Sequence, residues 1–133
     1  YPYYSYLQKL VKTYELSDYV ELKTNVDIND LLDLFAKSKV LFHPTIGEPF
    51  GISVAEAMSA GLVPVVPTFG GNTEFVPEKL RYNNYIEAAK IITRFMNATA
   101  QQRLALSNSV KKFSKKNFKA NLKSLLNKQM TQS

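Results

Sequence analysis

The sequence predicts an α/β fold, a parallel sheet flanked by helices, and three observations carry that prediction. Short apolar runs of strand length alternate with amphipathic stretches of roughly a dozen residues. Proline or glycine punctuates the junctions, at Pro44, Gly61 and Pro67. The loops after two of the apolar runs both contain glycine: Gly47 and Gly51 in one, Gly70 and Gly71 in the other. Ligands bind outside the carboxyl ends of the strands in such sheets, so these two loops mark where a site should lie.

Residues 3–14 carry Leu7, Leu10, Val11 and Tyr14 at spacings of three and four, which predicts an amphipathic helix that Ser17-Asp18 ends. Its tyrosines, Tyr1, Tyr3, Tyr4 and Tyr6, are expected to pack helix against sheet. Residues 19–25 alternate polar and apolar like a half-buried strand. Residues 27–37 read as a helix with Leu31, Leu34 and Phe35 on one face, and residues 39–44 as a short strand. A helix is expected over 49–60, with Pro49 in its first turn and Gly61 just past its end. Residues 62–67 read as a buried strand, and 70–73 as a turn feeding a short helix through Val76, with Asn72 and Thr73 as its caps. A last short strand is expected at 80–82, then helices at 84–96 and from 100 to about 129, the latter with a lysine-dense break after Phe113. Strand–helix–strand alternation with right-handed crossovers makes the expected sheet Rossmann-like. Residues 1–97 are assigned to a partial Rossmann-like ligand-binding domain, incomplete at its start. Residues 98–133 are assigned to a basic helical segment packing on that domain or on a partner domain.

The 133 residues are 45% apolar, with 8 Phe and 8 Tyr, which suits one domain with a core and excludes disordered and low-complexity classes. No apolar run approaches the roughly 18 residues that cross a bilayer. The absence of cysteine excludes disulfides, thiol catalysis and thiolate metal sites. With one histidine, His43, a histidine-rich zinc site cannot be built. The chain opens Tyr1-Pro2-Tyr3-Tyr4 without methionine or a signal-peptide pattern, and reads as a piece of a longer protein.

Charge is segregated. Through Glu87 there are 7 Lys/Arg against 11 Asp/Glu; from Ala88 onward there are 10 against none. Such a tail is expected to face something anionic. It is read as an amphipathic helix whose Phe118, Leu122 and Leu125 pack on the protein, as a surface docking a partner domain, or as a contact with an anionic membrane surface. Nucleic acid is not expected, because no binding module accompanies the lysines.

The chemistry concentrates in residues 43–61. A strand end, a glycine turn and the carboxylate of Glu48 lead into a helix start with Gly51. Backbone N–H groups at that start, from Phe50 to Ser53, suit a phosphate. Glu56 lies about 9 Å along the helix axis from Phe50 at ~1.5 Å per residue, and helical side chains lean back toward the N-terminus. Its carboxylate can therefore accept from a ribose diol, while Glu48 holds hydroxyls of a second polar group. A nucleotide-sugar has that succession of groups.

Glu48 and Glu56 are separated by seven residues in the frame Glu-Pro-Phe-Gly-Ile-x-x-x-Glu-Ala-Met-x-x-Gly, followed by Pro-Val-Val and Gly-Gly-x-x-Glu. Across about residues 16–76 this resembles family 4 glycosyltransferases, retaining enzymes of the GT-B fold. Within that family it is most similar to archaeal members related to mannosyltransferases of lipid-linked oligosaccharide assembly. The resemblance implies the C-terminal, donor-binding half of such an enzyme. It makes Glu48 the catalytic-site carboxylate that binds donor-sugar hydroxyls, puts backbone N–H groups of Phe50, Gly51 and Ile52 on the sugar and diphosphate, assigns the ribose to Glu56, and has Gly70 and Gly71 shape the second loop. His43, Ser53 and Asn72 stand beside this set, His43 either as a strand-end hydrogen-bonding or packing residue or in direct contact with the donor. The resemblance further implies transfer of a hexosyl group with retention, no metal ion and no cofactor beyond the GDP- or UDP-sugar itself. It also implies an N-terminal acceptor domain as partner, a lipid-linked acceptor, and a cytoplasmic location, peripheral on the cytoplasmic face of a membrane. The family's diphosphate-binding Arg and Lys lie upstream of Tyr1, so this chain alone is expected to be inactive. Residues 77–82 replace the usual glycine-containing stretch after the second loop. A non-catalytic nucleotide or sugar-phosphate binding module is the alternative reading, and an adaptor built around the tail is a third.

Overall fold

The computed structural model describes residues 2–130, with side chains through Asn127. Tyr1 and residues 131–133 lie outside the described residues. The chain divides into two compact units, Tyr1–Leu32 and Asp33–Ser133.

In the first unit, α1 runs Pro2–Thr13 with Leu7, Leu10 and Val11 half-buried and no residue fully buried. Tyr3 and Tyr6 are 71% and 55% exposed, so the burial expected of them is not found. The strand expected at 19–25 does not form. Local turns take the N–H groups a ladder would need: those of Tyr19 and Val20 both donate to Leu16 O at 2.9 Å. Asn25, at φ 52°, then leaves the extended region altogether. Alternation makes a strand only where a neighbouring strand pairs with it.

Helix α2, Ile28–Lys37, begins in the first unit and ends in the second. The Asp27 carboxylate accepts the N–H groups of Asn29 (2.8 Å) and Asp30 (3.0 Å), which fixes its start.

The second unit is the α/β domain. Its strands are β1 (Val40–Phe42), β2 (Val63–Pro67) and β3 (Arg81–Tyr82), in the order β1-β2-β3 and all parallel. Val40 stands opposite Val63 and Phe42 opposite Val65; Val66 and Pro67 stand opposite Arg81 and Tyr82. Every residue of β2 is buried, as a central parallel strand must be. Helix α3 (Ile52–Ser59) joins β1 to β2, and α4 (Tyr85–Phe95) follows β3. Next come α5 (Ala100–Val110), a 3₁₀ turn (Lys111–Phe113) and α6 (Lys115–Met130).

The main core gathers Val54 and Met58 of α3, Val63 and Val66 of β2, Phe75, Val76, Leu80, Phe95 and Val110. A smaller cluster joins Val65, Tyr82 and Ala88. Helix α5 docks on the end of α3 through Ser107 Oγ donating to Ser59 O at 2.8 Å and Arg103 Nη1 donating to Gly61 O at 3.2 Å. The break expected after Phe113 falls at Ser114, whose ψ of 149° is extended. Beyond it Phe118, Leu122 and Leu125 are 45–64% exposed, so they do not pack on the domain.

Candidate functional site

Two loops meet at the carboxyl edge of the sheet, residues 43–51 after β1 and 68–74 after β2. His43 continues the ladder, its N–H donating to Val65 O at 2.9 Å. Helix α3 starts at Ile52 rather than at Pro49, because Gly51 adopts the left-handed φ of 91° and sets the entry angle. The side chain that would be expected to cap α3 is absent; instead Glu48 reaches forward and accepts the Gly51 N–H at 3.1 Å. One of the four N–H groups expected to be free is therefore committed within the protein. Those at the amino end of α3, beginning with Ile52 and Ser53, carry the partial positive charge of the helix.

The loops interlock through their glycines. A Cβ on Gly51 would fall 1.8 Å from Asn72 Oδ1, and one on Gly71 would fall 1.9 Å from Pro49 O. The Gly71 N–H donates to Glu48 O at 2.7 Å, so the second loop is bonded to the residue that carries the first loop's carboxylate. Gly51 is thus required by the neighbouring loop, not to leave room for a ligand. The second loop forms a 3₁₀ turn, Gly71–Glu74, with Thr73 Oγ1 donating to Gly70 O at 2.7 Å. Asn72 does not cap it: its side chain is fully buried, and neither Oδ1 nor Nδ2 has a hydrogen-bond partner.

His43 and Glu48 are both half-buried, with Nε2 3.6 Å from Glu48 Oε2. That Nε2 is itself buried without a hydrogen-bond partner, so a small closing movement of the carboxylate would complete the bond. Beneath them Tyr82 donates to His43 O at 3.4 Å, and burial pushes its phenol above the ordinary tyrosine value.

Glu56 lies on the exposed face of α3 with Ile52 and Ser59, one helical turn apart. This face forms one wall of a cleft of about 810 Å³ whose other wall is residues 110–114 with Phe118 and Asn121. Phe50 links the cleft to the loops: its ring packs against Phe75 (5.4 Å) and edge-on to Phe113 (5.1 Å). The structure therefore brings His43, Glu48, Gly51, Gly70, Gly71 and Asn72 into one loop pair, with Phe50 and Ile52 leading from it to Glu56. Sequence reasoning missed Arg81, whose guanidinium donates to Thr73 O (2.6 Å) and to Val76 O (2.8 and 2.6 Å). It closes the second loop from behind. No pattern announced it, because its partners are backbone carbonyls.

Among the described residues no group of three or more acids and histidines is placed to hold a metal ion, and no helix is long and apolar enough to cross a membrane.

The second unit is thus an α/β domain whose parallel sheet presents a carboxylate, a helix start and a glycine-locked loop at its carboxyl edge. Residues 2–117 match the family model described as Glycosyl transferases group 1, and the chain belongs to that family. It is similar to a GDP-Man:Man(3)GlcNAc(2)-PP-Dol alpha-1,2-mannosyltransferase of Dictyostelium discoideum, 26% identical over 121 residues that cover 84% of this chain and 24% of the relative. The Homo sapiens protein of the same description is 27% identical over 138 residues, covering 92% and 27%. The O-antigen chain mannosyltransferase RfbU of Salmonella typhimurium is 38% identical over 66 residues, covering 47% and 19%. The chain thus spans about a quarter or less of the length of these curated relatives.

Proposed function

We propose that the chain is the donor-binding part of a retaining hexosyltransferase, using a nucleotide-diphosphate sugar and transferring its sugar to an acceptor hydroxyl. The observation that carries this reading is the interlocked loop pair, which delivers Glu48 and the amino end of α3 to the same carboxyl edge of the sheet. In this reading Glu48 accepts hydroxyls of the donor sugar, and the N–H groups of Ile52 and Ser53 bind the diphosphate. Phe50 and Gly51 line the approach, Glu56 binds the ribose, and Gly70 and Gly71 hold the second loop against the donor.

In the transfer step the bond from the anomeric carbon to the diphosphate oxygen breaks, and the bond to the acceptor oxygen forms on the same face. The acceptor proton passes to the departing diphosphate, and the reading assigns no role to a protein nucleophile, a metal ion or a further cofactor. Relatives whose names carry GDP-Man favour a mannosyl donor on guanosine diphosphate, and PP-Dol in the same names favours a lipid-linked acceptor. The acceptor site then belongs to a partner domain, and the protein works at the cytoplasmic face of a membrane.

The test is a two-dimensional amide spectrum titrated with GDP, UDP and ADP. Saturable shifts at residues 47–56 and 70–73 with one nucleotide are expected, and Glu56→Ala should weaken that binding about tenfold with unchanged circular dichroism, as for loss of hydrogen bonds to a charged group. Silence with all three nucleotides would overturn the reading. Binding without hexose transfer, once an acceptor domain is joined, would leave the binding-module alternative.

A further inference from the structure

The cleft that holds Glu56 has a second wall outside the two-loop motif, and its chemistry is complementary to a phosphate. Lys111 and Lys112 lie on the 3₁₀ turn between α5 and α6 and line the cleft opposite Ile52 and Glu56. Their backbone is fixed on both sides. Val110, just before them, is 5% exposed in the main core. Phe113, just after them, sits edge-on to Phe50 at 5.1 Å and to Phe75 at 5.3 Å. The turn is thereby pinned beside the entry to α3, while its two ammonium groups remain exposed.

Neither lysine has an ion pair among the described residues: the salt bridges there are Lys23 with Glu21 and His43 with Glu48. Glu56 is the one acid lining the cleft, and the chain carries no acid after Glu87. Lys112 Nζ rests 5.0 Å from the centroid of the Phe113 ring, a weak contact that an anion outcompetes. A volume of about 810 Å³ accommodates a nucleoside diphosphate.

We infer that the turn between α5 and α6 is the anion-binding wall of the donor cleft, with Lys111 and Lys112 holding the phosphates of a nucleoside diphosphate whose ribose lies at Glu56. This rests on the donor-binding reading above. It gives part of the basic tail a ligand-binding role, distinct from the lysines of α6 at 115, 116, 119 and 123, which do not line the cleft.

The test compares the wild-type chain with a Lys111→Gln/Lys112→Gln variant by titration calorimetry, using whichever of GDP and UDP the wild type binds and its unphosphorylated nucleoside. The variant should bind the diphosphate about tenfold or more weakly, the size expected for losing charge-assisted hydrogen bonds. Its nucleoside affinity should be unchanged, and Lys111→Arg/Lys112→Arg should restore the diphosphate affinity. A Lys119→Gln/Lys123→Gln variant should bind as wild type does. Equal diphosphate affinity in the 111/112 glutamine variant would overturn the inference and leave the donor site standing. An equal loss in the 119/123 variant would also overturn it, by tracing the effect to overall charge. No binding of GDP or UDP by the wild type would overturn the donor reading itself, and this inference with it.

Discussion

Glu48 is positioned by its own loop before any ligand arrives: one oxygen accepts the Gly51 N–H and the other faces His43 at 3.6 Å. In the donor-binding reading His43 steadies that carboxylate once the remaining gap closes. Replacing it with leucine should weaken nucleotide-sugar binding about fivefold, the value of one ordinary hydrogen bond, while His43→Gln, which keeps an amide donor, should lose less. Calorimetric titration of the two variants checks the difference; equal losses would mean that His43 only fills space. Gly71 tests the interlock directly. Gly71→Ala drives a methyl into Pro49 O and should destabilise the domain by about 1–3 kcal/mol, read from the urea midpoint. Both loops were legible in the sequence because their glycines and carboxylate recur in a fixed frame. What the frame left out was the reason for Gly51, which answers to Asn72 across the gap between loops. A contact between residues this far apart leaves no local signal.

At the scale of elements, the helix starts carry two further expectations. Asn84 Oδ1 accepts the Glu87 N–H at 3.0 Å, and Glu87 Oε2 accepts the Asn83 N–H at 2.8 Å, so α4 opens with reciprocal caps. The backbone bond from Asn83 holds the Glu87 carboxyl below the ordinary glutamate range, helped by the Asn83 side chain. A carboxyl lowered on folding stabilises the protein above its unfolded value, and that contribution fades as pH falls through the folded one. Thermal midpoints measured from neutral pH downward should therefore fall less steeply in Glu87→Gln than in the wild type. Arg81→Ala removes the donor to two loop carbonyls and should lower stability by about 2 kcal/mol, with amide shifts concentrated at residues 70–76. The order of helices and of the strands β1 to β3 was readable from periodicity and punctuation. Residues 19–25 show where that reading stops: alternation describes a strand's faces, but the Leu16 carbonyl supplied a nearer partner for two of the N–H groups.

Across the whole molecule, burial and charge divide along the sequence. The core draws on residues from Val54 to Val110, and α6 beyond it keeps Phe118, Leu122, Leu125 and Leu126 exposed among lysines. Truncation after Asn121 should accordingly leave the thermal midpoint within about 3 °C of the full chain, since exposed positions contribute little to stability. A larger drop in a calorimetric scan would show that α6 covers the domain. The basic tail was plain in the composition, whereas the separation of its 3₁₀ turn from α6 depends on the extended backbone at Ser114. The loop interlock bears on how this protein can change over generations. A side chain at position 51 requires a smaller partner at 72, and one at 71 requires the backbone at 49 to withdraw, so neither loop can drift alone. The two loops would then be inherited as a paired cassette, and exchanging a single loop with a relative would produce a misfit where exchanging both would not.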